Sequence, residues 1–144
     1  MTTPFAQPNC WLEHRVSYGE TDAMGVVYYA NYLHLFERGR GALIRALGFS
    51  YATVEARGFF LPVREASCRY FSPARYDEII HIRTGLAKRS RASLTFVYEI
   101  TNADKSAVLA RGSTQHALVN GQGRPVRIPD WLHDLFEQHL PDAG

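Results

Sequence analysis

The stretch YGETDAMGVVYYANYLHLFERGRGALIRALG, Tyr18 to Gly48, divides into two parts. From Ala30 onward Leu33, Phe36, Leu43, Ile44 and Leu47 recur at helical spacing, and Gly48 is a natural stop. This predicts the main helix. Gly39 and Gly41 lie inside it, each costing about 1 kcal/mol in intrinsic propensity relative to Ala. That cost is tolerable where a missing side chain lets a sheet approach the helix closely. The part before the helix is too apolar for an ordinary surface loop and too broken by Asp and Gly for a strand. Asp22, just ahead of a Gly, two Val and two Tyr, is being positioned there.

Outside this stretch the period drops towards two. His14 to Tyr18 can start a sheet, and Val63–Phe71, Ile79–Ala87, Leu94–Thr101 and Val108–Val119 carry β-branched and aromatic residues in partial alternation. TNADKSA after Ile100 and AKRSRAS before Leu94 are polar breaks suited to reversing turns, so consecutive strands should run antiparallel. A short helical piece is expected over Tyr51–Arg57. PDWLHDLFEQHL reads as a C-terminal helix over about 130–140, with Asp130 near its start and Trp131, Leu135, Phe136 and Leu140 near one stripe.

One strand, a helix, then four antiparallel strands is an α+β order. Its economical solution is a five-stranded antiparallel sheet wrapped around a long central helix that is apolar over much of its circumference. A ferredoxin-like unit wants a second central helix, and an open barrel wants no long one. With no repeat, linker or low-complexity tract, residues 1–144 read as a single domain with a core of about 13–120.

Composition narrows the function classes. Of 144 residues 46% are apolar, and the formal net charge is only +2, so no global field draws the chain to nucleic acid or an anionic membrane. No segment approaches the roughly 20 apolar residues that span a bilayer, and the N-terminus lacks a signal pattern, so no membrane insertion and a cytoplasmic setting are expected. Cys10 and Cys68, the only cysteines, read as free thiols. His 14, 34, 81, 116, 133 and 139 form no metal-binding spacing, and no dinucleotide, P-loop or GxSxG motif occurs, so neither a metal nor another cofactor is expected.

The run T-D-x-x-G-V-V-Y, followed by A-N-Y and a helix, resembles the hotdog-fold acyl-CoA thioesterases of the 4-hydroxybenzoyl-CoA thioesterase and YbgC type. The likeness extends from Val16 to about Leu135, and FSPARYDE resembles that family's turn between its second and third strands. The resemblance implies a hotdog fold and hydrolysis of the thioester of an acyl- or aroyl-CoA, with coenzyme A as part of the substrate. It also implies a homodimer or homotetramer in which sheets join edge to edge with active sites at the seam. Asp22 is then the carboxylate that attacks the thioester or activates water. The backbone N–H of Tyr29, and that of Ala30, are the donors to the oxyanion, and Tyr18 assists.

Physical chemistry is consistent with those roles. The first amide N–H groups of a helix are unpaired and electropositive, and a carboxylate just ahead of them places nucleophile and oxyanion donors in one segment. An Asp in such a loop can also simply cap the following turn. Tyr29 departs from the YbgC-type pattern, which often has His there, and agrees with the hydroxybenzoyl branch.

Lys88, Arg89, Ser90 and Arg91 form a cationic, hydroxyl-bearing hairpin suited to the phosphates of coenzyme A, and the family uses basic residues of this region in that way. Glu20 lies two residues before Asp22, where a carboxylate pair or an exposed loop position is possible. Glu37 corresponds to the helix carboxylate of another hotdog branch, although Arg38 and Arg40 beside it predict a structural ion pair. Two further readings stand beside hydrolysis: an acyl-CoA-binding protein without turnover, and a dehydratase, whose characteristic His is absent from this loop.

Overall fold

The computed structural model describes residues 5–138. The strands are β1 (Asn9–Arg15), β2 (Val63–Tyr70), β3 (Ile79–Arg89), β4 (Ser93–Thr101) and β5 (Val108–Ala117), and the helices are α1 (Asn31–Ala46), α2 (Tyr51–Ala56) and α3 (Asp130–Phe136). The strands form one antiparallel sheet in the order β1-β3-β4-β5-β2.

The first strand lies earlier than the expected His14–Tyr18. Cys10, Leu12 and His14 pair with Thr84, Ile82 and Ile80 on the helix-facing side, while Trp11 and Glu13 take the other face. Ser17 ends the strand because its N–H donates to the Glu20 carboxylate at 2.7 Å, closing the turn Tyr18–Glu20.

The central helix is 16 residues, about 24 Å at 1.5 Å per residue, so it is not the long helix expected. Its buried residues are Tyr32, Leu35, Phe36, Gly39, Arg40, Leu43 and Ile44, a single i, i+3, i+4 stripe. Leu33, expected in the core, falls off that stripe and is 43% exposed. The helix is therefore apolar on one face and not round its circumference.

Gly39 carries the close approach to the sheet: a Cβ there would overlap Thr84 Oγ1 and lie 2.9 Å from Ile82 Cγ2. Gly41 faces no strand. On the sheet side Gly112 makes room for the Phe36 ring, whose Cε2 a Cβ would overlap and whose Cζ would lie 2.6 Å from it. Phe36 stacks on Tyr98 at 4.3 Å.

Arg40 enters this core among phenols, not carboxylates. It donates to the Tyr98 hydroxyl at 3.1 Å and to the Tyr51 hydroxyl at 3.3 Å. The Tyr98 hydroxyl meets Thr114 Oγ1, Thr114 meets His116 Nε2 at 2.9 Å, and His116 Nδ1 donates to the Leu61 carbonyl at 3.0 Å. Because the Leu61 carbonyl only accepts, the neutral imidazole carries its proton on Nδ1, so Nε2 accepts from Thr114 and Thr114 accepts from Tyr98.

The turns follow local chemistry. Asn102 Oδ1 accepts from the Ala107 N–H at 3.0 Å between β4 and β5, and Ser50 caps α2 by accepting from the Thr53 N–H at 3.2 Å. In α3 the buried residues are Leu132 and Phe136, with Trp131 and Leu135 only half-buried. That helix ends at Phe136, short of the expected 140; His139 and Leu140 lie outside the described residues.

Candidate active site

Residues 21–27 form a small hairpin closed by the Thr21–Val27 bridge. Asp22 sets its turn: the Asp22 N–H donates to the Val26 carbonyl at 2.9 Å, and the Gly25 N–H donates to the Asp22 carbonyl at 3.0 Å. The carboxylate Oδ1 accepts from the Met24 N–H at 2.8 Å. Gly25 has φ +76°, which a residue with a Cβ adopts only under strain. Asp22 is half-buried, and among the described residues no second hydrogen bond engages its carboxylate. It caps the turn through one oxygen and has the other free.

Two neighbours hold the hairpin against the helix opening. The connection between β2 and β3, residues 71–78, supplies one: Val27 N–H donates to Ala74 O at 2.8 Å and Tyr76 N–H to Gly25 O at 2.9 Å. The Glu20 carbonyl supplies the other, accepting from Tyr28 N–H at 2.9 Å and from Asn31 Nδ2 at 2.8 Å. Asn31 is the first residue of α1, so its side chain ties the loop directly to the helix end.

At that end the Asn31 N–H is spent on the Tyr28 carbonyl at 2.8 Å. Among the described residues no acceptor engages the N–H of Tyr29 or Ala30. These are electropositive donors at a helix start. Beside them lies a cleft of about 220 Å³ walled by Val27, Tyr29, Tyr32, Tyr70, Phe71 and Pro73. Tyr70 donates its hydroxyl to the Tyr29 carbonyl at 2.9 Å and meets the Tyr32 ring edge-on at 5.0 Å. Burial, and then the Cys68 thiol, push the Tyr70 phenol up to about 12, so it is a fixed donor at neutral pH.

Tyr18 stands apart. Its ring is 78% exposed and packs edge-on against Tyr76 at 5.7 Å, and among the described residues no hydrogen bond links it to Asp22. Tyr28, which sequence reasoning passed over, is the phenol that feels Asp22. The hydrogen bond and charge of Tyr29 raise it above its ordinary value, and the Asp22 carboxylate raises it further.

The other carboxylates are committed elsewhere. Glu20 is bonded to His14 Nε2 at 2.8 Å, so it is neither a partner of Asp22 nor an exposed loop residue. Burial alone would raise its carboxyl, but bonds from the Ser17 N–H and His14 hold it below the ordinary value. Arg38 donates to His14 Nδ1 at 2.5 Å. The expected pairing of Glu37 with Arg38 and Arg40 does not form, because those cations serve His14 and the core phenols. Glu37 lies 3.5 Å from His34 on the exposed helix face.

The cationic hairpin lies at the far end of β3. Arg89 is ten residues from Ile79, roughly 33 Å at 3.3 Å per residue, whereas the Asp22 loop joins the sheet beside Ile79, where Val16 N–H donates to Glu78 O. Arg89, Ser90 and Arg91 line a shallow depression of about 580 Å³ together with Arg127 and His133. Arg89 donates to the His133 carbonyl at 3.2 Å and to the Glu137 carboxylate at 2.5 Å, while Lys88 is exposed beside the depression. Arg127 comes from the segment before α3, a contact that no local pattern could reveal. Among the described residues no three His, Cys, Asp or Glu are grouped to hold a metal ion. No described helix is long and apolar enough to cross a membrane.

A family model described as the thioesterase-like superfamily matches residues 16–136. The chain is 32% identical over 128 residues to the acyl-CoA thioesterase YbgC of Haemophilus influenzae, covering 88% of this chain and 92% of that one. Over 92 residues it is 37% identical to the acyl-CoA thioester hydrolase YbgC of Escherichia coli, covering 64% and 69%. A solved DHNA-CoA thioesterase from Staphylococcus aureus superposes with a TM-score of 0.83 at 34% identity, covering 90% of this chain and 89% of that structure.

Proposed function

Since the chain belongs to the thioesterase-like superfamily, we propose that it is an acyl-CoA thioesterase whose reaction centre is Asp22 and the opening amides of α1. Its hotdog relatives are named as acyl-CoA and DHNA-CoA thioesterases, and a thioester hydrolase is the activity that this fold and cleft support. The observation that carries the reading is the pair of unengaged N–H groups at Tyr29 and Ala30, beside an aromatic-walled cleft and a half-free carboxylate.

The acyl group occupies the cleft with its carbonyl oxygen on the Tyr29 N–H, and the Ala30 N–H adds a second donor as negative charge develops. Asp22 carries the attack in one of two ways. Its free oxygen can add to the carbonyl carbon and expel the coenzyme A thiolate, leaving a mixed anhydride that water opens. Alternatively it takes a proton from a water that adds at the same carbon. Either way water is consumed, and a carboxylic acid and free coenzyme A leave. The bond from Met24 N–H fixes one carboxylate oxygen and so aims the other.

The Asp22 loop and the cationic hairpin stand at opposite ends of β3, which favours a site that draws on two subunits. In a homo-oligomer, Lys88, Arg89, Ser90 and Arg91 of a partner subunit hold the nucleotide phosphates. The two unbridged thiols, Cys10 and Cys68, fit a cytoplasmic enzyme.

A thiol-release assay over short-chain, long-chain and aromatic acyl-CoAs tests the activity. Turnover of compact or aromatic acyl groups is the expected result. Tight binding of the whole panel without thiol release would make the protein an acyl-CoA binder.

A further inference from the structure

The two amides that open α1 belong to successive peptide groups, and the carbonyl of each group is engaged. The Tyr29 N–H shares its peptide with the Tyr28 carbonyl, which accepts from the Asn31 N–H at 2.8 Å. The Ala30 N–H shares its peptide with the Tyr29 carbonyl, which accepts from the Tyr70 hydroxyl at 2.9 Å and from the Tyr32 N–H at 3.3 Å. Main-chain bonds continuing into the helix are long here, since the Leu33 N–H is also 3.3 Å from the Ala30 carbonyl. The short bond on the Ala30 peptide is therefore the one from Tyr70.

Tyr70 is held in place to deliver that bond. It is the last residue of β2 and pairs with Ala110 of β5, so its main chain belongs to the sheet. Its ring meets Tyr32 edge-on at 5.0 Å, and the buried Tyr32 is itself fixed, because its hydroxyl accepts from the Ala74 N–H at 3.3 Å. The Ala74 carbonyl in turn accepts from the Val27 N–H at 2.8 Å. One residue of the connection between β2 and β3 thus anchors both the Asp22 hairpin and the ring that backs Tyr70.

We infer that Tyr70 is a positioning residue for the hydrolysis: its hydroxyl, bonded to the Tyr29 carbonyl, aims the Ala30 N–H and strengthens it as the second oxyanion donor. The inference rests on the thioesterase reading above and adds a side chain from β2 to it. A carbonyl that accepts a hydrogen bond draws electron density from its own peptide nitrogen, so the N–H of that group becomes more positive, by about 10–30% in bond strength. The gain grows with the charge on the acceptor. It is small for a neutral thioester carbonyl and larger for the oxyanion. The bond also fixes the plane of the Tyr29–Ala30 peptide, which otherwise has only the longer contact from the Tyr32 N–H. The Tyr70 ring separately walls the cleft. Hydroxyl and ring therefore act on different quantities, the first on rate and the second on binding.

Tyr70→Phe keeps the ring and removes the hydroxyl. With an acyl-CoA that the parent turns over, kcat for thiol release should fall about fivefold or more, short of the roughly 10²–10³-fold cost of losing an oxyanion donor outright, with KM little changed. Tyr70→Leu, which removes the ring as well, should show a similar fall in kcat together with a raised KM. In proton–nitrogen correlation spectra of the ligand-free protein, the Ala30 amide should move upfield in Tyr70→Phe, and the same spectra verify the fold. A parent that releases no thiol from any acyl-CoA would overturn the thioesterase reading and this inference together. An active parent whose Tyr70→Phe variant keeps its kcat, changes only in KM, or leaves the Ala30 amide where it was would overturn the inference and leave that reading standing.

Discussion

Asn31 ties the Asp22 loop to the helix opening through one side chain. Its Nδ2 holds the Glu20 carbonyl at 2.8 Å, and that carbonyl also takes the Tyr28 N–H, leaving the next two amides open. Asn31→Ala removes one hydrogen bond at a partly buried site, a stability cost of about 1 kcal/mol. The larger effect should be on kcat, because the Asp22 loop can then drift from the helix opening while the cleft stays intact. We expect kcat to fall about tenfold or more with little change in KM. Equal changes in both, or no change in rate, would remove the positioning role. Asp22 was singled out from the sequence because the T-D-x-x-G-V-V-Y run is local. Tyr70 and Phe71 were not, because Tyr70 reaches the Tyr29 carbonyl from a chain segment 41 residues away.

At the scale of elements, α1 shows what periodicity reveals and where it misleads. The helix and its glycine-dependent contact with the sheet were readable, yet the stripe was read through Leu33, one residue round from its true line. The real stripe includes Gly39 and Arg40, which no hydrophobicity pattern places in a core; Arg40 is tolerated there because Tyr51 and Tyr98 accept its N–H groups. The first strand was displaced for a related reason, since its inward line of Cys10, Leu12 and His14 mixes a thiol and an imidazole with one aliphatic residue. Gly39→Ala tests the contact. The added methyl must displace Thr84 or Ile82, so overpacking should cost about 1–3 kcal/mol despite the gain in helix propensity, measured by urea unfolding. The same change at Gly41, which faces no strand, should be neutral or stabilising.

For the whole molecule, the chain from Arg40 to Leu61 couples helix, sheet and the loop before β2, and it gives stability a pH dependence. Burial, aided by the positive charge of Arg40 and only partly offset by the Leu61 carbonyl, lowers His116 to about 4. The unfolded imidazole titrates near 6.5, so below that pH the unfolded chain takes up a proton that the folded chain refuses. Stability is therefore complete above about pH 6.5, declines as pH falls towards 4, and is level in this respect below that. The loss is about 3 kcal/mol at most. Urea unfolding at pH 7 and pH 4.5 should show the decline in the parent protein and a shallower one in His116→Gln. Parallel pH profiles would show that His116 is not the group responsible.

The proposed reaction draws on the loop, the helix opening and the cleft together, so its most direct test keeps all three in place and changes one oxygen. Asp22→Asn preserves shape and the bond from the Met24 N–H while removing the charge. With an acyl-CoA that the parent turns over, the variant should bind with near-parental affinity and release thiol at least about 10²–10⁴-fold more slowly, with unchanged circular dichroism. Parental rates of thiol release from a correctly folded variant would contradict the account.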